Sequence, residues 1–180
     1  MNKSKVTPFL PVALLLAGLL SCNSGNSSAD TGVVSKTTDT LSYPYKATYS
    51  SDLSFSSHPE YLQKVLTIWK MFETNQIEAM KQYYADTVTY EDASGYKFHG
   101  KSDSLLNFAR KDVEGLDSLR FDISMWQNIH VNDRNEDWVF IWAAERRYPK
   151  NGKADTSLIH EQWKVVDGKV AYFNQLKARP

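Results

Sequence analysis

From Pro59 the apolar positions of this chain recur every three or four residues, and after Ser118 they recur every second residue. The first period belongs to a helix with one buried face and the second to a half-buried strand. Leu62, Val65, Leu66, Trp69 and Phe72 predict a helix over residues 59–74. Asn75 stands three residues before Glu78 and resembles a capping box, so a second helix is expected over 76–84 with Ile77, Met80 and Tyr84 on one face. A strand follows near Val88–Glu91, and Gly100 is expected to break it. Residues 102–115 read as a third helix with Leu105, Leu106 and Ala109 inward.

In the second half Leu119, Phe121, Ile123 and Met125 alternate with polar residues. Residues 137–148, "DWVFIWAAERRY", are apolar on both faces: Trp138, Phe140 and Trp142 on one, Val139 and Ile141 on the other. Asn151-Gly152 marks a hairpin turn, 156–166 the next strand, and Asp167-Gly168 turns into a last strand over 169–178. Three helices with one strand between them therefore precede a four-stranded antiparallel meander. That order is α+β, with the helices packed on one face of a curved sheet. A strand apolar on both sides is covered on both. The helices cover one side, and the Trp-rich side suits an interface between two copies, so a homodimer is expected.

The N-terminus has a different pattern. Lys3 and Lys5 precede the apolar run "FLPVALLLAGLL", residues 9–20, which has the layout of a signal peptide and is short for a membrane span. Leu19-Leu20-Ser21-Cys22 resembles a bacterial lipobox, and Cys22 is the only cysteine, so no intrachain disulfide competes for its thiol. The resemblance implies a signal peptide over 1–21 and a diacylglycerol-bearing Cys22, whose acyl chains anchor by hydrocarbon burial. It also implies an extracytoplasmic protein on a bacterial membrane, expected to be the outer membrane at its periplasmic or surface face. Residues 22–57 are rich in Ser, Thr, Asn, Asp and Gly and carry no apolar period, the composition of a flexible tether. The folded domain is expected over 58–180.

Lys plus Arg and Asp plus Glu are both 21, so there is no basic excess to attract nucleic acid. The four histidines form no HxH or HExxH pair, and metal binding is not expected. Neither a GxSxG elbow nor a phosphate loop occurs, and no cofactor is expected.

Three stretches carry a family resemblance: "IEAMKQYYADTVTYEDASG" (77–95), "FHGKSDSLLNFA" (98–109) and "DGKV" (167–170). They are similar to ketosteroid isomerase, a member of the nuclear transport factor 2-like superfamily that also contains SnoaL-type polyketide cyclases and scytalone dehydratase. The resemblance covers residues 58–180 and implies a cone-shaped, cystatin-like α+β roll. It places Asp92, in "TYED", at the position of the isomerase's catalytic base. A carboxylate at the mouth of an apolar cone is a candidate for proton abstraction. Turn capping is the competing role for Asp92. The isomerase's tyrosine donor falls on Ile68, which donates nothing, so steroid-type isomerisation is disfavoured. Its protonated aspartate falls on Glu161 or His160, depending on hairpin length. Dehydratase relatives suggest an Asp-His dyad of Asp92 with His160 or His99. The pocket candidates are Trp69, Tyr84, Tyr90, Trp163, Tyr172 and Asn174. The expected function is binding of a small, partly apolar ligand in the cone. The alternatives are an isomerase, cyclase or dehydratase using Asp92, and a homodimeric interaction module without a ligand. The fold by itself does not choose among them.

Overall fold

The computed structural model describes residues 43–178. The signal peptide, Cys22 and the first half of the expected tether lie outside the described residues. The elements run β1 (Leu53–Phe55), α1 (Pro59–Glu73), a 3-10 helix (Ile77–Tyr83), β2 (Tyr84–Asp92), β3 (Lys97–Lys101), α2 (Ser102–Val113), β4 (Leu116–Val131), β5 (Glu136–Pro149), β6 (Asp155–Val166) and β7 (Lys169–Ala178). The strands form one curved, unclosed sheet in the order β1-β4-β5-β6-β7-β2-β3, with the helices on its concave side. This is the α+β architecture expected from the period change.

The core is the helical stripe laid against the inward row of each strand. Val65, Ile68 and Trp69 of α1 meet Val139, Ile141 and Ala143 of β5 and Ile159 and Trp163 of β6, all buried. Strand alternation makes this possible, because successive side chains point to opposite faces. The inward row of β6 is Ser157, Ile159, Glu161, Trp163 and Val165, with every second residue buried.

Four local details differ from the sequence expectation. The second helix is a 3-10 helix, without a side-chain cap at its start. Asn75 has φ +57, and that left-handed residue ends α1 instead of opening a new α-helix. Tyr84 consequently begins β2 and is buried. Gly100 does not end a strand but pairs with Val88 inside the β2–β3 hairpin. Finally, β2 runs parallel to β7, so the sheet is mixed: β2, which precedes the meander in the chain, adds to it at the β7 edge. The β4–β5 register shifts between Ile123 and Met125, which places Ile123 opposite inward Ala143 and Met125 opposite outward Trp142. A one-residue bulge inverts alternation in this way.

The segment read as tether over 22–57 acquires structure before residue 58. β1 pairs with β4, with Leu53 opposite Val131 and Phe55 opposite Ile129. Around it Ser50 bonds Asp133 at 2.6 Å, Ser54 bonds Asn132 at 2.8 Å and Ser56 bonds Asp137 at 2.7 Å. Tyr49 donates its hydroxyl to Glu136 and sets its ring edge on Trp138. Tyr43 and Tyr45 remain exposed. These contacts predict that a chain starting at residue 58 is less stable than one starting at residue 43 by about 1–3 kcal/mol, read from urea midpoints. Identical midpoints would return the segment to the tether.

Candidate ligand-binding site

Between α1, α2 and the concave face of the sheet lies a cavity of about 670 Å³. Its walls include Phe72, Tyr84, Tyr90, Leu106, Phe121 and Phe173, and the buried Glu161 carboxylate lies among them. Glu161 is 5% exposed and stands between Ile159 and Trp163 on the inward row of β6. Three N–H donors hold it. The indole of Trp69, from α1, donates to Oε2 at 2.8 Å, and the indole of Trp163, two residues along the same strand face, donates to Oε2 at 2.9 Å. The Gln175 amide, directly across the ladder on β7, donates to Oε1 at 2.6 Å.

A carboxylate buried among rings is costly to ionise, and hydrogen bonds recover only part of that cost. Desolvation pushes Glu161 up from its ordinary value to about 7, against the pull of the Gln175, Trp163 and Trp69 donors. Indole N–H groups only donate, so they require an acceptor whether or not Glu161 carries a proton. Gln175 can present either its NH₂ or, turned over, its carbonyl, and so can serve both states. Nearby, burial drives the Tyr90 phenol up to about 12, with Asp92 adding to the shift, and raises Tyr84 for the same first reason. Both phenols stay protonated at neutral pH.

A second buried carboxylate, Glu145 of β5, lies toward the mouth. It is neutralised locally: Lys177 forms an ion pair with it, and Arg147 Nε lies 3.2 Å away. Arg147 also donates to Asp112 of α2, with one contact at 3.0 Å. This charged ring links β5, β7 and α2 at the rim.

Asp92 lines the same cavity at its rim. Its Oδ1 accepts the Ser94 N–H at 2.8 Å, the Ser94 hydroxyl at 2.6 Å and the Tyr96 N–H at 3.1 Å. Chiefly the Ser94 hydroxyl holds its carboxyl below the ordinary value. It caps the turn into Gly95, which has φ +87. A carboxylate so engaged and ionised is a weak candidate for a base, because proton abstraction favours a group poised near the working pH.

Trp69, Tyr84, Tyr90, Trp163, Asp92 and Glu161 therefore share one cavity, whereas His160, Tyr172 and Asn174 do not reach it. His160 neighbours Glu161 in sequence, so alternation sends it to the outer face, where it stacks on Trp142 at 4.4 Å. His99 pairs with Thr89 at 2.9 Å and is no partner for Asp92. Tyr172 and Asn174 follow inward Val170 by two and four residues, which in a regular strand would place them inward. A bulge at Ala171 takes β7 from Val170 opposite Val165 to Tyr172 opposite Lys164. The inversion turns Phe173 and Gln175 inward and leaves Tyr172 against outward Trp138, ring centroids 5.6 Å apart. A regular hairpin from Asp167-Gly168 would have set Asn174 opposite Glu161; the bulge sets Gln175 there. Counting the hairpin register finds the need for an amide donor, but not the bulge.

No protein-family model matches the sequence, and no curated protein is similar to it by sequence. Solved structures do match. A SnoaL-like protein from Shewanella denitrificans superposes with a TM-score of 0.57 at 15% identity, over 67% of this chain and 91% of that one. An LEH-like epoxide hydrolase of M. tuberculosis gives 0.56 at 11% identity, over 67% and 84%. A protein with a ketosteroid isomerase-like fold from Catenulispora acidiphila, in complex with trimethylamine, gives 0.51 at 14% identity, over 62% and 82%. The chain has the nuclear transport factor 2-like fold. At these identities the likeness fixes the fold and leaves the chemistry to the cavity.

The raised Glu161 has a consequence for stability. An unfolded chain loses this proton near the ordinary carboxylate value of 4.5, whereas the folded chain keeps it to about 7. Across that window the folded state binds more protons, so stability contributed by Glu161 falls as pH rises and levels off above about 7. Glu161→Gln should remove this slope. Between pH 5 and pH 7.5 the melting temperature of the native chain should drop more than that of the variant, by about 5 °C. Parallel melting curves for the two would show that Glu161 ionises as an ordinary carboxylate.

Proposed function

We propose that this domain binds a small, partly apolar molecule in the cone, with Glu161 at the floor as the polar contact that orients it. The observation that carries this reading is a cavity of about 670 Å³ with aromatic walls and a buried carboxylate, Glu161, that no cationic side chain pairs among the described residues. That volume lies within the range of small-molecule sites. It also disfavours an interaction module whose cone is packed solid. The test uses N-phenyl-1-naphthylamine, a neutral fluorophore that brightens in apolar surroundings. The native domain should enhance its emission. Ala109→Trp, which places an indole in the cavity wall, should abolish the enhancement while leaving the unfolding transition cooperative. Equal enhancement by both would place the fluorophore elsewhere and defeat the proposal.

A second reading is an isomerase, cyclase or dehydratase, favoured by the Glu161 value near 7, which suits a group that takes and returns a proton. In this reading Glu161 takes the role that the family resemblance assigns to Asp92, and the rim carboxylate shapes the entrance. A substrate carbon acid would then exchange its proton with solvent in the native domain and in Asp92→Asn, and not in Glu161→Gln.

The setting of the domain is part of the same proposal: a lipid on Cys22, a tether, and a dimer formed through the outer sheet face at a bacterial membrane. The dimer is supported by the aromatic layer Trp138, Phe140, Trp142 and His160, with neighbouring ring centroids 4.4–6.5 Å apart. Met125, Leu158 and Leu176 are exposed hydrophobics on the same face. His160 Nε2 and Asn174 Oδ1 are buried there without a hydrogen-bond partner. Light scattering should return twice the chain mass for the native domain and one chain mass for Trp142→Glu. In cell fractions Cys22→Ser should leave the membrane pellet. A native monomer, or a Cys22→Ser variant that still sediments with membranes, removes the corresponding part.

A further inference from the structure

Inside the cavity one buried carboxylate has no cationic partner among the described residues. Four carboxylates and three cationic side chains line it. Lys177 and Arg147 are committed to Glu145 and Asp112, and Asp92, exposed at the rim, is held by the Ser94 and Tyr96 donors of its own turn. Among the described residues Glu161 has no cationic partner; its contacts are the two indoles and the Gln175 amide. A proton can neutralise it. An occupant that brings its own positive charge does the same.

We propose, resting on the ligand-binding reading above, that the cone is selective for organic ammonium ions bearing few or no N–H groups: tertiary or quaternary amines on an apolar body.

Three features select this class. First, a carboxylate offers about four lone-pair positions, and three are already used by N–H donors. Glu161 therefore presents negative charge with little remaining capacity to accept hydrogen bonds. A guanidinium, which needs a free carboxylate edge for its paired N–H groups, is poorly served. So is a primary ammonium with three donors to place. An alkylated ammonium needs the charge and not the bonds. Second, a bare metal ion requires several oxygen ligands, and the described residues contain no group of three His, Cys, Asp or Glu side chains placed to supply them. Third, the floor is walled by Trp69, Trp163, Tyr84, Phe121 and Phe173. Aromatic faces attract a weakly hydrated cation, more strongly when water is excluded.

The test is displacement of bound N-phenyl-1-naphthylamine by two probes of the same shape: benzyltrimethylammonium, and neopentylbenzene, in which carbon replaces the charged nitrogen. The native domain should release the fluorophore at an ammonium concentration at least about tenfold below that of the hydrocarbon. Glu161→Gln should bring the two within about twofold, while Asp117→Asn, which removes an exposed charge outside the cavity, should keep the native preference. If the fluorophore binds and the two probes displace it equally from the native domain, the cation selectivity is wrong and the cavity reading stands. If the preference survives in Glu161→Gln, Glu161 is not its source. If the fluorophore never binds, the cavity reading fails and takes the selectivity with it.

Discussion

The site depends on a carboxylate held inside a hydrophobic row. Alternation on β6 gives Glu161 the same inward direction as Ile159 and Trp163. No aqueous escape is available, since the strand pairs on both sides, with Ile141 on β5 and Gln175 on β7. A buried ionisable group without partners is costly by several kcal/mol. The surrounding elements therefore have to deliver donors to fixed places. One of these, Trp69, lies on α1, so the hydrogen bond that satisfies Glu161 also joins helix to sheet. Cavity floor and helix docking are the same contact.

The other determinant is register. The irregularity between Ile123 and Met125 in β4 and the one at Ala171 in β7 invert the facing of the residues that follow. In β7 the inversion exchanges Tyr172 and Asn174 for Phe173 and Gln175 at the cavity wall. In β4 it leaves Phe121 facing inward against Trp69, ring centroids 4.6 Å apart, and sends Met125 to the outer face. Bulges increase local twist, and a sheet that must curl over two helices accommodates them readily. Curvature and choice of lining residues thus have a common origin.

Glu145 and Glu161 form an internal comparison. Both are nearly inaccessible, and both face the concave side from neighbouring strands. Glu145 is matched by Lys177 and Arg147 and belongs to an ion-pair network at the rim. Glu161 is surrounded by neutral donors. The difference separates a carboxylate that helps close the mouth from one whose charge is available to an occupant. Asp92 is a third case, engaged through Oδ1 by its own turn and ionised in solvent.

Much of this was legible in the linear sequence. The change of period near Ser118, the Asn-Gly and Asp-Gly turns and the double-sided apolar run at 137–148 determined helices against a curled sheet, because burial requires each pattern to face a core. Trp69, Trp163 and Glu161 could be assigned to the interior on the same grounds. Tertiary structure alone decided the rest. An inserted residue at Ala171 leaves no mark in an alternating pattern, yet it reverses which of two adjacent side chains meets Glu161. The parallel pairing of β2 with β7 joins residues about eighty apart, beyond the reach of local periodicity. Whether a buried acid has a cationic partner depends on distances across strands and helices, and those exist only once the chain is folded.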